Sequence, residues 1–335
     1  MGVRGLIRPI QHLVSVSGGK DSTATYLLAI ESGRPFRAVF ADTGNEHEAT
    51  YEYVATLHEN TGGPKVEWVR ADFSDRINAK RQFIADDQRN GRNYGKPGAP
   101  SYGRRIRWTN AAKRRALALL RPTGNPYLDL CMWKGRFPSR RGQFCTSELK
   151  EIPITTQIVG PMLRAGPVLQ WLGIRADESA RRAKQPRYNR HESGSYVWRP
   201  IFGWTVDDVW KMHSRHGILP NPLYAQGMGR VGCMPCINCR KGELRAIADQ
   251  FPDHIDRIRE WEAIVATASK RGASTFFAAV TDPMDSQRDG YAGIDTIVEW
   301  SRTQRGGRQR DIFFQAQAGG GCTSDLGLCE TNDSR

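Results

Sequence analysis

Residues 12–70 alternate short apolar runs with longer amphipathic ones, and that alternation predicts a parallel α/β sheet. His12 to Val16 reads as a buried strand, Thr23 to Glu31 as a helix stopped by Gly33, and Arg37 to Ala41 as a second strand. Glu46 to Asn60 then reads as a second helix and Lys65 to Arg70 as a third strand. Strands that alternate with helices at this spacing run parallel, join through right-handed crossovers and are covered on both faces. The expected fold class is therefore α/β, a doubly wound parallel sheet of the Rossmann-like kind. Sheet pattern returns at Val168 to Arg175 and at Tyr196 to Ile201, with a helix expected from Thr205 to His216.

Between these parts the pattern breaks. Residues 72–143 are punctuated by Asn90-Gly91, Lys96-Pro97-Gly98 and Pro122-Thr123-Gly124, and read as an insertion or flap with some helix around Thr109 to Leu120. From Arg76 to Arg141 there are 17 Lys or Arg against three acids, so this stretch alone carries the +14 of the whole chain. Such a field suits an acidic partner, nucleic acid foremost. Tyr94, Tyr102, Trp108 and Trp133 are interleaved with the cations and are expected to stack on bases, the bland alternative being a solvated face. No run of 18 apolar residues is present, which argues against a membrane partner. Seven cysteines without a leader pattern point to a reducing, cytoplasmic setting, where thiols bind metal or do chemistry.

The first strand feeds directly into Ser17-Gly18-Gly19-Lys20-Asp21-Ser22. A Gly-rich turn there points backbone N–H groups and a helix N-terminus at one place, which suits phosphate. It is not a Walker A loop, because Val14 stands where the first Gly belongs and Asp21 where Ser or Thr belongs. The six residues do resemble the S-G-G-x-D-S signature of the PP-loop ATP pyrophosphatases, within the adenine nucleotide alpha hydrolase-like and phosphoadenosine-phosphosulfate-reductase-like superfamily. That resemblance implies that Ser17, Gly18, Gly19, Lys20, Asp21 and Ser22 hold the pyrophosphate of ATP with Mg²⁺. Asp42-Thr43-Gly44, at the carboxyl end of the second strand, resembles the family's turn near the nucleotide's sugar and base. Gly173-Ile174-Arg175-Ala176-Asp177-Glu178-Ser179 resembles its G-x-R-x-x-E/Q-S element. Arg175 and Lys150 are the expected charge stabilisers at the α-phosphate, and Asp21 completes the expected catalytic set. Trp204 to Trp210 and Asn221-Pro222-Leu223-Tyr224 also resemble the family and read as architecture. The domain division expected is 1–220 for the nucleotide-binding part, carrying the insertion 72–143, and 221–335 for a helical, Cys-containing part with helices near Lys241 to Asp249 and His254 to Ala268.

Cys145 to Pro153 resembles the superfamily's C-C/T-x-x-L/R-K-x-x-P element, and Gly232-Cys233-Met234-Pro235-Cys236 its G-C-x-x-C half-site. In assimilatory adenylylsulfate reductases these hold a [4Fe–4S] cluster; zinc is the alternative for the same thiols. Here Thr146 replaces one Cys of the pair, so a fourth ligand comes from elsewhere: Cys131 is the first choice, with Cys239, Cys322 and Cys329 open. The expected ligands are thus Cys131, Cys145, Cys233 and Cys236. The Cys131 spacing resembles the sulfur-inserting component of DNA phosphorothioation systems and related phage and bacterial proteins.

Two enzymatic expectations follow from the resemblance. One is ATP-dependent release of AMP and pyrophosphate coupled to sulfur transfer into nucleic acid, DNA or tRNA, with a sulfur-donor protein such as a cysteine desulfurase as partner. The other is a sulfonucleotide reductase that produces sulfite with thioredoxin, using Cys329 as nucleophile. The intact loop favours the first, since the reductases carry a degenerate one. A non-catalytic nucleic-acid-binding relative is a third.

Overall fold

The computed structural model describes residues 8–87, 92–93, 105–106, 108–277 and 292–303. In chain order the first elements are β1 (Gln11–Val16), α1 (Lys20–Glu31), β2 (Phe36–Asp42), α2 (Glu48–Thr61) and β3 (Val66–Arg70). Then come α3 (Ser74–Asp86), β4 (Arg92–Asn93), β5 (Arg105–Ile106), α4 (Asn110–Leu119) and α5 (Pro126–Lys134). A helical run follows as α6 (Phe144–Thr146), α7 (Ile152–Ile154) and α8 (Gly160–Ala165), linked by π-helical turns. The remainder are β6 (Val168–Trp171), β7 (Tyr188–Arg190), β8 (Tyr196–Trp198), α9 (Val206–Arg215), α10 (Lys241–Gln250), α11 (Pro252–Ala268) and α12 (Ile294–Arg302). Contacts group the described residues into two compact units, one of 8–71 with 146–236 and the other of 72–145 with 237–303.

The first unit is the expected sheet. Its strand order is β3-β2-β1-β6-β8-β7, parallel throughout except for β7, which pairs antiparallel with β8 at the edge. Alternation along the strands sends Val14, Val16, Ala38 and Phe40 to one face with Tyr26, Val54 and Leu57. Leu13, Val39 and Ala41 face the other way, onto Ile154, Ile158 and Met162. Both faces are therefore buried, which is why the strands read as nearly continuous apolar runs. The chain moves outward from β1 through β2 to β3, then returns to place β6 on the other side of β1. That reversal opens a crevice at the carboxyl ends of β1 and β6, where ligands bind in open α/β sheets.

The run from Phe144 to Ala165 was expected only as a motif. It is helical throughout, but Pro153 and Pro161 lack the N–H that an α-helix needs. The ladder widens to i→i−5 bonds, with Ile152 N donating to Ser147 O and Gly160 N to Thr155 O. Lys150 lies in the first widened turn.

The second unit is helical. Helices α3 and α5, not foreseen within the basic stretch, pack with α4, α10, α11 and α12 around Ile77, Ile84, Leu130, Ile258 and Val265. Tyr127 stacks on Trp261 with centroids 5.6 Å apart, and Phe137 meets Phe276 at 5.4 Å. The buried Glu262 carboxylate accepts from Phe276 N at 2.7 Å and Ile294 N at 2.9 Å, pinning the start of α12. Trp108 is 3% exposed, so it belongs to this core and the expectation that it stacks on bases is corrected. Tyr94 and Tyr102 lie outside the described residues.

Candidate nucleotide site

Between β1 and α1 the chain turns through Gly18 at φ +76°, and a Cβ there would come within 2.7 Å of Thr50 Cγ2, so only glycine fits. The loop's carbonyl oxygens are turned back into the protein and held. Asn221 Nδ2 donates to Gly18 O at 3.3 Å, Ser22 Oγ to Gly19 O at 3.0 Å, and His213 Nε2 to Lys20 O at 2.9 Å. Burial lowers the His213 pKa, so the ring is neutral with its proton on Nε2. Ser17 N donates to Ser22 Oγ at 3.0 Å, and Lys20 N to the Tyr224 hydroxyl at 2.9 Å. Among the described residues the N–H groups of Gly18, Gly19 and Asp21 make no hydrogen bond. With carbonyls inward and amides uncommitted at a helix N-terminus, the loop is an anion cradle. Asn221, Tyr224 and His213 are the architecture behind it.

Asp21 is buried, at 1% exposed. Its carboxylate pairs with Lys20 Nζ at 2.9 Å and with Arg175 Nε. Burial works to raise its pKa, but Lys20 and Arg175 outweigh that and hold it below the ordinary carboxylate range. Arg175 also pairs with Asp177, while its own N–H donates to Glu178 Oε2 at 2.9 Å, and Glu178 pairs with Arg182. The G-x-R-x-x-E element thus acts as a buried charge lattice tying the end of β6 to the start of α1.

Gly173 makes that junction. A Cβ at this position would meet Asp21 O at 2.7 Å and Ser22 Cα at 2.9 Å, backbone atoms that cannot swing aside. Gly173→Ala should therefore push the β6 loop off the phosphate loop and destabilise by about 1–3 kcal/mol, read as a lower urea midpoint. An unchanged midpoint would contradict this close approach.

At the end of β2, Asp42 Oδ1 accepts from Gly44 N at 2.8 Å and from the Tyr51 hydroxyl at 2.9 Å, and its other oxygen pairs with Arg70 at 3.3 Å. The turn thereby positions Glu46, a buried residue that the motif reading missed. Glu46 accepts from Thr43 Oγ1 at 2.7 Å, Thr43 N at 3.2 Å and Tyr51 at 3.1 Å. Burial, then the charges of Glu46 and Asp42, push the Tyr51 phenol far up, so it stays a donor. The T-x-x-E spacing of Thr43 and Glu46 was the available signal.

The Cys233 loop docks on this turn. Glu46 and Cys233 form an antiparallel bridge, Met234 N donates to Asn45 O at 2.7 Å, and Asn45 Nδ2 to Pro235 O at 3.1 Å. Cys233 Sγ lies 3.5 Å from Thr43 Oγ1 and 3.7 Å from Glu46 Oε1. Together these segments form an open cleft lined by Ser17, Ala41, Glu46, Lys150, Arg230, Cys233 and Cys236 among others. Of the expected site residues, Ser17, Lys150, Cys233 and Cys236 meet here; Asp42, Thr43 and Gly44 flank it, and Asp21 and Arg175 are buried in their own ion pair. Arg230, 6% exposed, was missed because no motif marks it.

The other cysteines belong to the second unit. Cys131 is wholly buried in α5, and burial pushes its thiol pKa up. Cys145 lies in α6, and Cys239 is 2% exposed with its carbonyl accepting from Arg140 Nη2 at 3.4 Å. The five described cysteines form no disulfide with one another, and Cys322 and Cys329 lie outside the described residues.

The family model of the phosphoadenosine phosphosulfate reductase domain matches residues 11–96 and 131–239. An uncharacterized 37.8 kDa protein of Escherichia phage 186 is 44% identical over 333 residues, covering 95% of this chain and 96% of that protein. The adenosine 5'-phosphosulfate reductase of Streptomyces coelicolor is 42% identical over 65 residues, 19% of this chain and 28% of that enzyme. A crystal structure of the phosphoadenylyl-sulfate reductase from Candida auris aligns at 16% identity with a TM-score of 0.37, covering 68% of this chain and 82% of that one. On the extent of the family match, this chain belongs to the phosphoadenosine phosphosulfate reductase domain family.

Proposed function

We propose that the chain splits ATP into AMP and pyrophosphate while activating a nucleic acid for modification, with sulfur transfer as the chemistry. The observation that carries this is the intact loop, whose carbonyls are held inward by Asn221, Ser22 and His213 and whose amides at Gly18, Gly19 and Asp21 are uncommitted. A triphosphate brought in as its Mg²⁺ complex seats its β,γ-pyrophosphate on those amides. Its α-phosphorus then lies in the cleft that Lys150 and Arg230 line. An acceptor oxygen attacks the α-phosphorus and expels pyrophosphate, and a sulfur nucleophile then displaces AMP from the adenylylated acceptor. Catalysis rests on fixed positive charge where negative charge grows on the α-phosphate. Asp21 and Arg175 serve by holding the loop rather than by touching the nucleotide.

Cys233 and Cys236 are a C-x-x-C pair of soft donors lining the same cleft, which suits a [4Fe–4S] group or zinc. Cys145 and Cys131 are the remaining donors on motif grounds alone. A bound cluster would supply electron- or sulfur-handling chemistry beside the nucleotide.

Calorimetric titration tests the binding half of this reading. ATP and inorganic pyrophosphate should compete for one site, with AMP binding far more weakly. Equal affinity for AMP and ATP, with no pyrophosphate binding, would remove the loop from its assigned role. The second reading, a sulfonucleotide reductase, draws on the partial match to the Streptomyces coelicolor enzyme.

A further inference from the structure

Strands β7 and β8 form the edge hairpin of the first unit's sheet, and their register decides which side chains stand together. Tyr188 lies opposite Trp198 and Arg190 opposite Tyr196, so these four share one face, while Asn189 and Val197 share the other. Val197 is buried with Leu172 and Ile174. The first face is open. Tyr188 is 55% exposed, Tyr196 is 50% exposed, and Arg190 is exposed between them. Trp198 packs on Trp171 with centroids 4.3 Å apart and backs one side of Tyr188, at 5.7 Å with planes 9° apart. Tyr196 meets no other ring among the described residues, and neither tyrosine hydroxyl makes a hydrogen bond there.

The hairpin is also strongly basic. Between Arg181 and Arg199 six Lys or Arg stand against one acid, Glu192. Arg182 is paired with Glu178, and Arg199 is used inside the hairpin. Arg199, 1% exposed, donates to Gln185 Oε1 at 3.0 Å, Pro186 O at 2.8 Å and Asn189 Oδ1 at 2.6 Å, and its N–H to Arg187 O at 3.0 Å. Those bonds tie residues 185–189 to β8 and so fix the backbone that carries Arg187, Tyr188 and Arg190. The side chains of Lys184, Arg187 and Arg190 are exposed and make no hydrogen bond, ion pair or ring contact among the described residues. One charge suffices to keep an edge strand from pairing with another sheet. Two open tyrosine rings beside it do not serve that end, and exposed rings set side by side mark a contact surface.

We propose that this face, Tyr188, Arg190 and Tyr196 with Arg187 and Lys184 beside them, binds single-stranded nucleic acid. The ring of Tyr196 and the side of Tyr188 away from Trp198 take unpaired bases by stacking, which tolerates any sequence. The three cations take the neighbouring phosphates. With residues 185–189 already tied down, little backbone freedom is lost when the strand arrives. A duplex hides its base faces, so the open rings fit a single strand. The inference rests on the nucleic-acid half of the function proposed above and requires nothing of the ATP cleft.

The test is fluorescence anisotropy of a labelled oligodeoxythymidine with the full chain, without nucleotide, across a series of NaCl concentrations. Tyr196→Ala should weaken single-strand binding about tenfold, the loss of one stacked base, while a duplex of the same length is little changed. Tyr196→Phe should bind as the wild type does, because the ring and not the hydroxyl makes the contact. The double variant Arg187→Ala/Arg190→Ala should bind more weakly, with the slope of log K against log salt reduced by about 1.4, from ~0.7 per phosphate contact on single strands. If the double variant does not fold, Lys184→Ala alone carries the slope test, with an expected change of about 0.7. Unchanged affinity and slope would overturn the proposal. So would losses in the cation variants with Tyr196→Ala unchanged, or equal losses on single strand and duplex in Tyr196→Ala, since either would leave a basic patch without stacking. Because no ATP is present, failure here leaves the ATP reading standing, and failure of ATP turnover leaves this surface standing.

Discussion

Asp21→Asn is expected to unlock the phosphate loop and to destabilise the chain by about 3–5 kcal/mol, the range for breaking one partner of a buried ion pair. The substitution keeps the side chain's shape but leaves Arg175, 4% exposed, and Lys20 facing a neutral amide. ATP binding and turnover should fall with it, because the amides of Gly18 and Gly19 are aimed by this lattice. A double variant, Asp21→Leu with Arg175→Met, removes both charges and should regain part of the stability without regaining turnover. That split separates the lattice's structural work from the loop's chemistry. The pH dependence follows from the sign of the shift. Asp21 has a lower pKa folded than its unfolded value of about 3.8, so its contribution is present above that value and is lost as pH falls through the folded one. The acid limb of the stability profile should therefore flatten in Asp21→Asn, and an unchanged limb together with an unchanged melting temperature would contradict the lattice.

Lys150→Ala and Arg230→Ala are each expected to lower kcat for ATP cleavage about 10²–10³-fold while changing ATP affinity much less. Both side chains are largely buried, at 9% and 6% exposed, and both line the cleft that Ser17 opens onto. Charge held in a poorly solvated cleft acts most strongly where new charge appears, which in this reaction is the α-phosphate as pyrophosphate departs. A loss confined to KM would instead make these residues binding groups for the triphosphate as a whole. Steady-state kinetics on the two variants distinguishes the cases.

Much of this arrangement was legible in the residues because it is local. The strand, Gly-rich turn and helix from His12 to Glu31 occupy one continuous segment, and their period changes from 2 to 3.6 where the loop falls. What stayed hidden is what long-range contact supplies. Nothing near Gly18 announces that Asn221 will hold its carbonyl from 203 residues away, or near Glu46 that Cys233 will pair with it across 187. Arg230 precedes a recognisable Gly-Cys step but is itself unmarked, and only the folded loop brings it to the cleft that Lys150 also lines. Helices α3 and α5 escaped for a different reason. Their cations and turn-rich surroundings resemble a solvated loop, yet Lys80 and Arg81 are spent on backbone carbonyls while Ile77, Ile84 and Leu130 fill the core. Charge counting along the stretch therefore overstated the cations open to a partner, and aromatic counting misplaced Trp108.

The central claim is that this chain cleaves ATP between its α- and β-phosphates. The direct measurement incubates anaerobically purified protein, with single-stranded DNA or tRNA, with ATP labelled at the α-phosphate, in parallel with labelled adenosine 5'-phosphosulfate and its 3'-phosphate. AMP or an AMP-linked product together with pyrophosphate is expected from ATP, and is expected to be lost in Asp21→Asn. Sulfite from a sulfonucleotide, with ATP left intact, would contradict it and make the reductase reading the correct one.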